Sequence, residues 1–268
     1  MTILKWILTG AAVLYLGGLA ALFLLQRSFL FPIPPVGRTT PAAAGFPQAE
    51  EHVLDTADGE KVIAWHVPAR PGRPVILYFH GNGDFLAGFF GRFRELIADG
   101  TGVVALSYRG YFGSSGSPSE QGLLKDAAAA YAFTTQRYSP DRVIVWGFSL
   151  GTGVAVALAA EQPVGKLILE APYASIAEIA ASAFPIFPVR LAIKDPFRSD
   201  RQIAQVKAPL LMMHGGQDPT IPIASGERLF ALANEPKRFV RFDRGGHNDL
   251  DNFGAAATAR QFINGRGS

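Results

Sequence analysis

One serine in this sequence lies in a pattern that can turn a hydroxyl group into a nucleophile. Ser149 is the centre of the pentad Gly147-Phe148-Ser149-Leu150-Gly151. A sharp strand-to-helix turn requires glycines at the outer positions, because a Cβ atom there would collide with the neighbouring strand and helix. Such a turn projects the serine Oγ above the sheet, and the helix that follows aims its N–H groups at a developing oxyanion. The pattern indicates covalent acyl transfer on Ser149; the alternative is a serine that only caps the helix.

A serine hydroxyl needs a neighbouring base, which is usually a histidine oriented by a carboxylate. The sequence has five histidines. His52 and His66 precede the main strands, whereas His80 and His214 each end a strand before a glycine, where an imidazole commonly ties down a turn. His247 follows the last strand in a glycine-rich loop, which is where the order serine, acid, histidine places the base. We therefore predict His247 as the general base.

The acid that would orient this histidine is predicted to be Asp218. It follows the strand-like run Leu210–His214 and lies between Ser149 and His247 in the chain. Its carboxylate would accept the imidazole N–H, fix the tautomer and stabilise the imidazolium. Glu170, which ends another strand, and Asp249, just beyond the histidine, remain alternative acids.

Backbone N–H groups for an oxyanion hole are expected at two places. The run Val75–Phe79 ends in His80-Gly81-Asn82-Gly83-Asp84, where the glycines let the main chain approach a substrate carbonyl closely. We predict the N–H of Asn82 as the donor from this loop, with Gly83 as the alternative, and the N–H of Leu150 as the second donor.

These residues can act together only if the fold brings them to the same edge of a sheet. Short apolar runs alternate with helical stretches over most of the chain, which is typical of a mostly parallel sheet with helices on both faces. In such sheets ligands bind beyond the carboxyl ends of the strands. The predicted strands cover Val62–Val67, Val75–Phe79, Val103–Tyr108, Val143–Trp146, Lys166–Leu169, Leu210–His214 and Arg238–Phe242. The predicted helices cover Phe89–Ala98, Gly122–Gln136, Gly151–Ala160 and Ala224–Ala233.

The N-terminal segment predicts a membrane anchor over residues 1–26. From Trp6 to Leu25 the chain carries no charge, and twenty helical residues span roughly the 30 Å hydrocarbon layer. A cleaved signal peptide is the alternative, although the apolar run continues past the small-residue site at Gly18-Leu19-Ala20. Basic residues flank both ends, so the charge pattern predicts no orientation. Prolines then predict an extended linker over residues 27–48.

Composition excludes several classes of protein. The chain has 268 residues, 49% of them hydrophobic, which fits one large folded domain after the anchor. It has no cysteine, which excludes disulfides, a cysteine nucleophile and thiolate metal sites. The net charge of +3 comes without a dense basic block, so no nucleic-acid partner is expected. Gly151-Thr152-Gly153 lacks the third glycine of a dinucleotide-binding turn, and no phosphate-binding loop motif is present.

Together these segments resemble the α/β-hydrolase superfamily, and within it the membrane-anchored serine hydrolases related to monoacylglycerol lipases and protein depalmitoylases. The motifs that carry the resemblance span residues of about 50–255 in the family's order. They are His80-Gly81-Asn82-Gly83, Tyr108-Arg109-Gly110-Tyr111, Gly113-Ser114-Ser115-Gly116, Gly147–Gly151, Glu170-Ala171-Pro172-Tyr173, His214-Gly215 with Asp218, and Gly246-His247-Asn248-Asp249.

The resemblance implies an α/β-hydrolase domain over residues 49–268 with a short lid at about 172–205. It also implies hydrolysis of a carboxylic ester or thioester of a small or lipid-like acyl substrate, with no metal or organic cofactor. In the lid, Ile176, Ile179, Ala180 and Ala183 would form an apolar helix face able to cover an acyl pocket. Two other functions stay open, because fold does not settle substrate: a peptidase or amidase with the same residues, and a non-catalytic membrane-tethered binding protein.

Overall fold

The computed structural model describes residues 2–35 and 37–265. Eight strands and nine α-helices are found within these two ranges. The strands are β1 (Glu50–Asp55), β2 (Lys61–Val67), β3 (Val75–Phe79), β4 (Gly102–Ser107), β5 (Val143–Phe148), β6 (Lys166–Glu170), β7 (Leu210–Gly215) and β8 (Lys237–Phe242). The helices are α1 (Thr2–Leu30), α2 (Phe90–Ile97), α3 (Glu120–Thr135), α4 (Leu150–Glu161), α5 (Ile176–Ala183), α6 (Val189–Ala192), α7 (Ser199–Gln202), α8 (Ile223–Leu232) and α9 (Ala255–Ile263).

The strands form one sheet in the order β1-β2-β4-β3-β5-β6-β7-β8. The pairs β1–β2 and β2–β4 are antiparallel, and the other neighbours are parallel. Strands β3, β4 and β5 are buried along their whole length, as is expected of strands covered on both faces. The α/β-hydrolase fold predicted from the sequence is therefore confirmed.

Two hydrophobic cores pack the helices onto the sheet, one on each face. Helices α3, α4 and α8 contribute Leu123, Val154 and Leu229 to the first core. Helices α2 and α9 contribute Phe93 and Ala259 to the second core. Because both faces are covered, the polar groups of the central strands become accessible only at the strand ends, where the predicted chemistry lies.

Helix α1 has 29 residues, none of them buried, and is long and apolar enough to cross a membrane. By the same test, a helix near the N-terminus can be a signal sequence. The helix continues to Leu30, inside the segment expected to be extended, because the first helix-breaking residue is Pro32. Phe31 and Phe46 are buried, so this proline-rich segment packs onto the folded domain.

Candidate active site

The turn between β5 and α4 holds Ser149 in a strained conformation. Its φ of 49° and ψ of −118° are unusual for a residue with a side chain, and its N–H donates to the Glu170 carbonyl oxygen at 2.9 Å. A Cβ atom on Gly147 would lie 2.7 Å from the Thr152 Cα, and one on Gly151 would lie 2.8 Å from the His80 carbonyl oxygen. The two glycines are therefore required for α4 to start directly beside the end of β3.

Substitution of Gly151 by alanine is expected to lower the free energy of unfolding by about 3 kcal/mol or more, because a methyl group would meet backbone atoms that have little room to move. Gly91→Ala is the matched control: a Cβ on this helical glycine meets nothing within 4 Å. That change should be neutral or stabilise the protein by up to about 1 kcal/mol. Thermal unfolding of both variants checks the prediction, which a Gly151→Ala protein as stable as the wild type would contradict.

A continuous chain of hydrogen bonds joins the three side chains predicted to act together. His247 Nε2 lies 2.8 Å from Ser149 Oγ, and His247 Nδ1 lies 2.7 Å from Asp218 Oδ2. Ser149 follows β5, Asp218 follows β7 and His247 follows β8, so the sheet delivers all three at its carboxyl edge. The Asp218 side chain is fully buried, whereas the His247 side chain stays about one-tenth exposed.

The Asp218 carboxylate is held by its own loop. Its Oδ1 accepts hydrogen bonds from the N–H groups of Thr220 and Ile221, both at 2.8 Å. Burial acts to raise its pKa, but the hydrogen bonds from His214, His247 and the Ile221 N–H outweigh burial and hold the pKa well below its usual range. The carboxylate is therefore charged at neutral pH, as stabilisation of an imidazolium requires.

His214 stabilises the same loop, which follows β7. Its Nε2 lies 2.9 Å from the Ile221 carbonyl oxygen, so it ties down the turn after β7 as expected from the sequence. A second contact, from Nε2 to Asp218 Oδ2 at 3.5 Å, was not anticipated. The ring of His214 is completely buried, so it supports Asp218 and is not open to a substrate.

The two alternative acids have other partners. Glu170 is bidentate with Arg92 at 2.7 and 2.9 Å and accepts from Trp146 Nε1 at 3.1 Å. Asp249 accepts from the Gly246 N–H at 2.6 Å and thereby closes the loop that carries His247. Of the three carboxylates considered from the sequence, Asp218 is the one hydrogen-bonded to His247.

The loop after β3 lies beside the start of α4, as the proposed oxyanion hole requires. Carbonyl groups of this loop border Gly151, and the Phe148 ring would lie 3.0 Å from a Cβ on Gly81. The Tyr111 hydroxyl donates to the Asn82 Oδ1 at 3.4 Å, so the side chain of Asn82 is held by the neighbouring loop. The candidate donors from this loop are the N–H groups of Asn82 and Gly83.

His80, at the base of this loop, is a buried neutral imidazole. Burial lowers its pKa to about 4, and its ring centroid lies 4.4 Å from that of Tyr108. Below pH 6.5 the unfolded chain therefore binds a proton that the folded chain does not bind until about pH 4. The stability that His80 contributes is present above pH 6.5 and is lost as the pH falls through that window.

We expect the wild type to lose up to about 1.4 kcal/mol of unfolding free energy per pH unit at this one site as the pH falls from 6 to 4.5. His80→Gln should reduce the slope by about that amount. His66, whose pKa burial also lowers to about 4, keeps its own contribution in both proteins. Urea unfolding in detergent at several pH values measures the slopes; equal slopes would contradict the buried neutral state of His80.

Sequence reasoning missed an acidic group close to the histidine. Burial raises the pKa of Asp84 to about 6, and His247 and Arg92 lower it in part. Asp84 lines a cavity of about 170 Å³ together with Phe85, Arg92, Phe148 and Asn248. Asp84 directly follows the predicted donor loop, which is the signal that could have identified it.

Among the residues that the structure describes, one group of side chains could hold a metal ion, at a different place in the fold. Donor atoms of Glu50, His52 and His66 lie within 4.8 Å of one another on β1 and β2. Strands β1 and β2 are four and three strands away from β5 in the sheet, which corresponds to roughly 19 and 14 Å. The cluster is therefore separate from the residues around Ser149.

The sheet order, the glycine-flanked turn and the loops at the carboxyl edge define a chain of the α/β-hydrolase class. Residues 74–205 match the family described as alpha/beta hydrolase fold. An uncharacterized protein of Mycobacterium tuberculosis is 38% identical over 232 residues, which cover 84% of this chain and 81% of that protein. The chain belongs to the α/β-hydrolase family.

Two further similarities come from proteins whose activities are given in their names. Lysophosphatidylserine lipase ABHD12 of Danio rerio is 31% identical over 74% of this chain and 62% of that protein. The solved structure of the Pyrococcus furiosus esterase Pf2001 superposes with a TM-score of 0.72 at 19% identity, covering 88% of this chain and 99% of that one. The second similarity concerns the fold alone.

Proposed function

We propose that the protein is a serine hydrolase that cleaves a carboxylic ester or thioester through an acyl-enzyme intermediate on Ser149. The observation that carries the proposal is the hydrogen-bonded chain from Ser149 Oγ through His247 to Asp218, at 2.8 and 2.7 Å. Both distances are those of a nucleophile paired with its base and of a base paired with its orienting acid. In this proposal Asn82 and Leu150 supply the oxyanion N–H groups.

In the first half of the reaction, Ser149 Oγ attacks the carbonyl carbon while its proton passes to His247 Nε2. The carbonyl oxygen becomes an oxyanion, which the N–H groups of Asn82 and Leu150 stabilise. As the tetrahedral intermediate collapses, the bond to the alcohol or thiol breaks, and His247 gives its proton to that leaving group. The acyl group is then an ester of Ser149.

The second half repeats these steps with water. His247 takes a proton from a water molecule, whose oxygen attacks the acyl carbon and forms a second oxyanion. Collapse breaks the bond to Ser149 Oγ, which regains its proton from His247, and a carboxylic acid is released. Asp218 remains charged throughout and stabilises the imidazolium form of His247.

Two observations favour a lipid-like substrate at a membrane. One relative is named as a lysophosphatidylserine lipase, and helix α1 is apolar enough to span a bilayer. Tyr15, which precedes the small-residue site at Gly18-Leu19-Ala20, also contacts the folded domain: its hydroxyl donates to the Ile186 carbonyl oxygen at 3.0 Å, and its ring stacks on Phe187. A segment that is removed after targeting has no need of such partners, so these contacts support a retained anchor.

A series of p-nitrophenyl esters of increasing chain length, run beside a thioester and an anilide of the same acyl group, tests the proposed reaction. We expect turnover of the esters and the thioester, and turnover of the anilide slower by at least about 100-fold, because the amine is a poorer leaving group. Comparable turnover of the anilide would favour the amidase alternative, and no turnover of any substrate by folded protein would favour the binding-protein alternative.

A further inference from the structure

An apolar cavity of about 220 Å³ separates helix α1 from the lid segment, residues 172–205. Leu22 and Phe29 line it from α1, and Ile179 and Ala180 line it from α5. Gln26 is the single polar side chain among the described residues that form its wall. Its amide group is already engaged, since Nε2 donates to the Ala192 carbonyl at 3.3 Å and Oε1 accepts from the Lys194 N–H at 2.7 Å. The cavity therefore suits an apolar occupant.

Specific contacts hold the lid segment against α1 on both sides of this cavity. Towards the middle of α1, Tyr15 stacks on Phe187 with ring centroids 5.2 Å apart and donates to the Ile186 carbonyl at 3.0 Å. Near the end of α1, Arg27 pairs with Asp195. Tyr15 and Arg27 are twelve residues apart, so the lid segment follows α1 for about 18 Å.

Such a length is more than half of the roughly 30 Å hydrocarbon layer that α1 would cross. Residues 179–189 of the lid segment carry no charged side chain, so this part of the lid segment suits a hydrocarbon environment. Ile186 and Leu191 are 71% and 90% exposed in the isolated chain, a poor arrangement in water and a favourable one among lipid tails. When α1 spans a bilayer, the cavity therefore opens into the acyl-chain region of one leaflet.

The inner end of the cavity lies close to the proposed oxyanion loop. Leu30 lines the cavity, and two residues further on the Pro32 carbonyl oxygen would lie 3.7 Å from a Cβ on Gly83. Two trans peptide units span at most about 7.6 Å. Gly83 is next to Asn82, the proposed donor, so the cavity and the proposed oxyanion loop border the same short stretch of chain, residues 30–32.

From this arrangement we infer that the cavity binds the acyl chain of a single-chain lipid ester, which enters sideways from the bilayer between α1 and α5. Its apolar wall and its volume of about 220 Å³ suit a stretch of an acyl chain. Binding of the chain is independent of the chemistry, whereas delivery of the ester to Ser149 rests on the proposed function.

Photolabelling tests the binding part without any turnover. The full chain with Ser149→Ala is placed in phosphatidylcholine vesicles with a monoacylglycerol that carries a diazirine in its acyl chain. We expect labelled peptides from residues 176–193, and at least about fivefold less label there when Ala180→Trp fills the cavity. Ala183→Trp is the matched control, because Ala183 lies on the same helix but is exposed and outside the cavity. Equal labelling of the Ala180→Trp and Ala183→Trp proteins would overturn the site.

Turnover tests the delivery part in the protein with Ser149 intact. For Ala180→Trp, the ratio of kcat/KM on monoacylglycerol in vesicles to kcat/KM on soluble p-nitrophenyl acetate should fall at least about tenfold relative to the Ala183→Trp control. A lost label with an unchanged ratio would mean that the cavity binds lipid but does not deliver substrate, which overturns this part. If neither ester is cleaved by any protein, the proposed function fails while the labelling result still stands.

Discussion

Replacement of Ser149 by alanine is expected to lower kcat for ester hydrolysis by about 10⁶-fold, because no other hydroxyl group of the described residues is hydrogen-bonded to His247. Ser149 is buried, and among the described side chains His247 is the hydrogen-bond partner of its hydroxyl. The loss should come without unfolding, since the backbone hydrogen bond from the Ser149 N–H to Glu170 is kept. Hydrolysis of p-nitrophenyl butyrate, measured beside the thermal midpoint, checks both expectations.

The outcome that would contradict this prediction is a variant that keeps a tenth or more of the wild-type rate. A rate of that size would mean that water or another residue is the nucleophile, and that the strained turn at Ser149 has a structural role. Ser114, whose hydroxyl donates to the Ser107 carbonyl at 2.8 Å, is a suitable control serine outside the site. Ser114→Ala should retain ester turnover.

Asp218→Asn is expected to lower kcat by about 10³–10⁴-fold while the fold is preserved. The asparagine Oδ1 can still accept the N–H groups of Thr220 and Ile221. Its Nδ2 would then face His247 Nδ1 and donate to it, which forces the imidazole proton onto Nε2. In that tautomer Nε2 points a hydrogen at Ser149 Oγ and cannot accept the serine proton.

Two matched changes separate this effect from a general loss of acidic groups. Asp249→Asn keeps an acceptor for the Gly246 N–H, and Glu170→Gln keeps an acceptor for Arg92, so both variants should retain most of the ester turnover. Rates for the three variants on one soluble ester, with thermal midpoints, decide between the acids. If Glu170→Gln alone lost activity, the assignment of Asp218 would be wrong.

Much of the site could be predicted because its parts are local in the sequence. Each of Ser149, Asp218 and His247 lies in the turn or loop that follows a strand, and the ends of parallel strands meet at one edge of the sheet. Chain order does not separate Asp218 from Glu170, because both acids follow a strand and lie between Ser149 and His247. What separates the two acids is the pairing of Glu170 with Arg92, which is 78 residues away in sequence, and no local pattern signals such a contact.

The parts that the sequence did not predict depend on contacts between distant segments. The apolar helix face expected in the lid included Ala183, but this residue is exposed, whereas Ile176 and Ala180 line the cavity against α1. Helix α1 was expected only to anchor the chain, yet it pairs with lid residues about 170 positions away. Periodicity identifies an apolar face but does not reveal which element covers it.

The most direct test of the serine hydrolase proposal is active-site labelling with a fluorophosphonate, which phosphonylates a serine only where a base has activated its hydroxyl. The full chain in detergent is treated with the probe, digested and examined by mass spectrometry. We expect one modified peptide, with the probe on Ser149, and loss of that label in Asp218→Asn and His247→Ala proteins. A folded wild-type protein that stays unlabelled, or carries the probe on another serine, would contradict it.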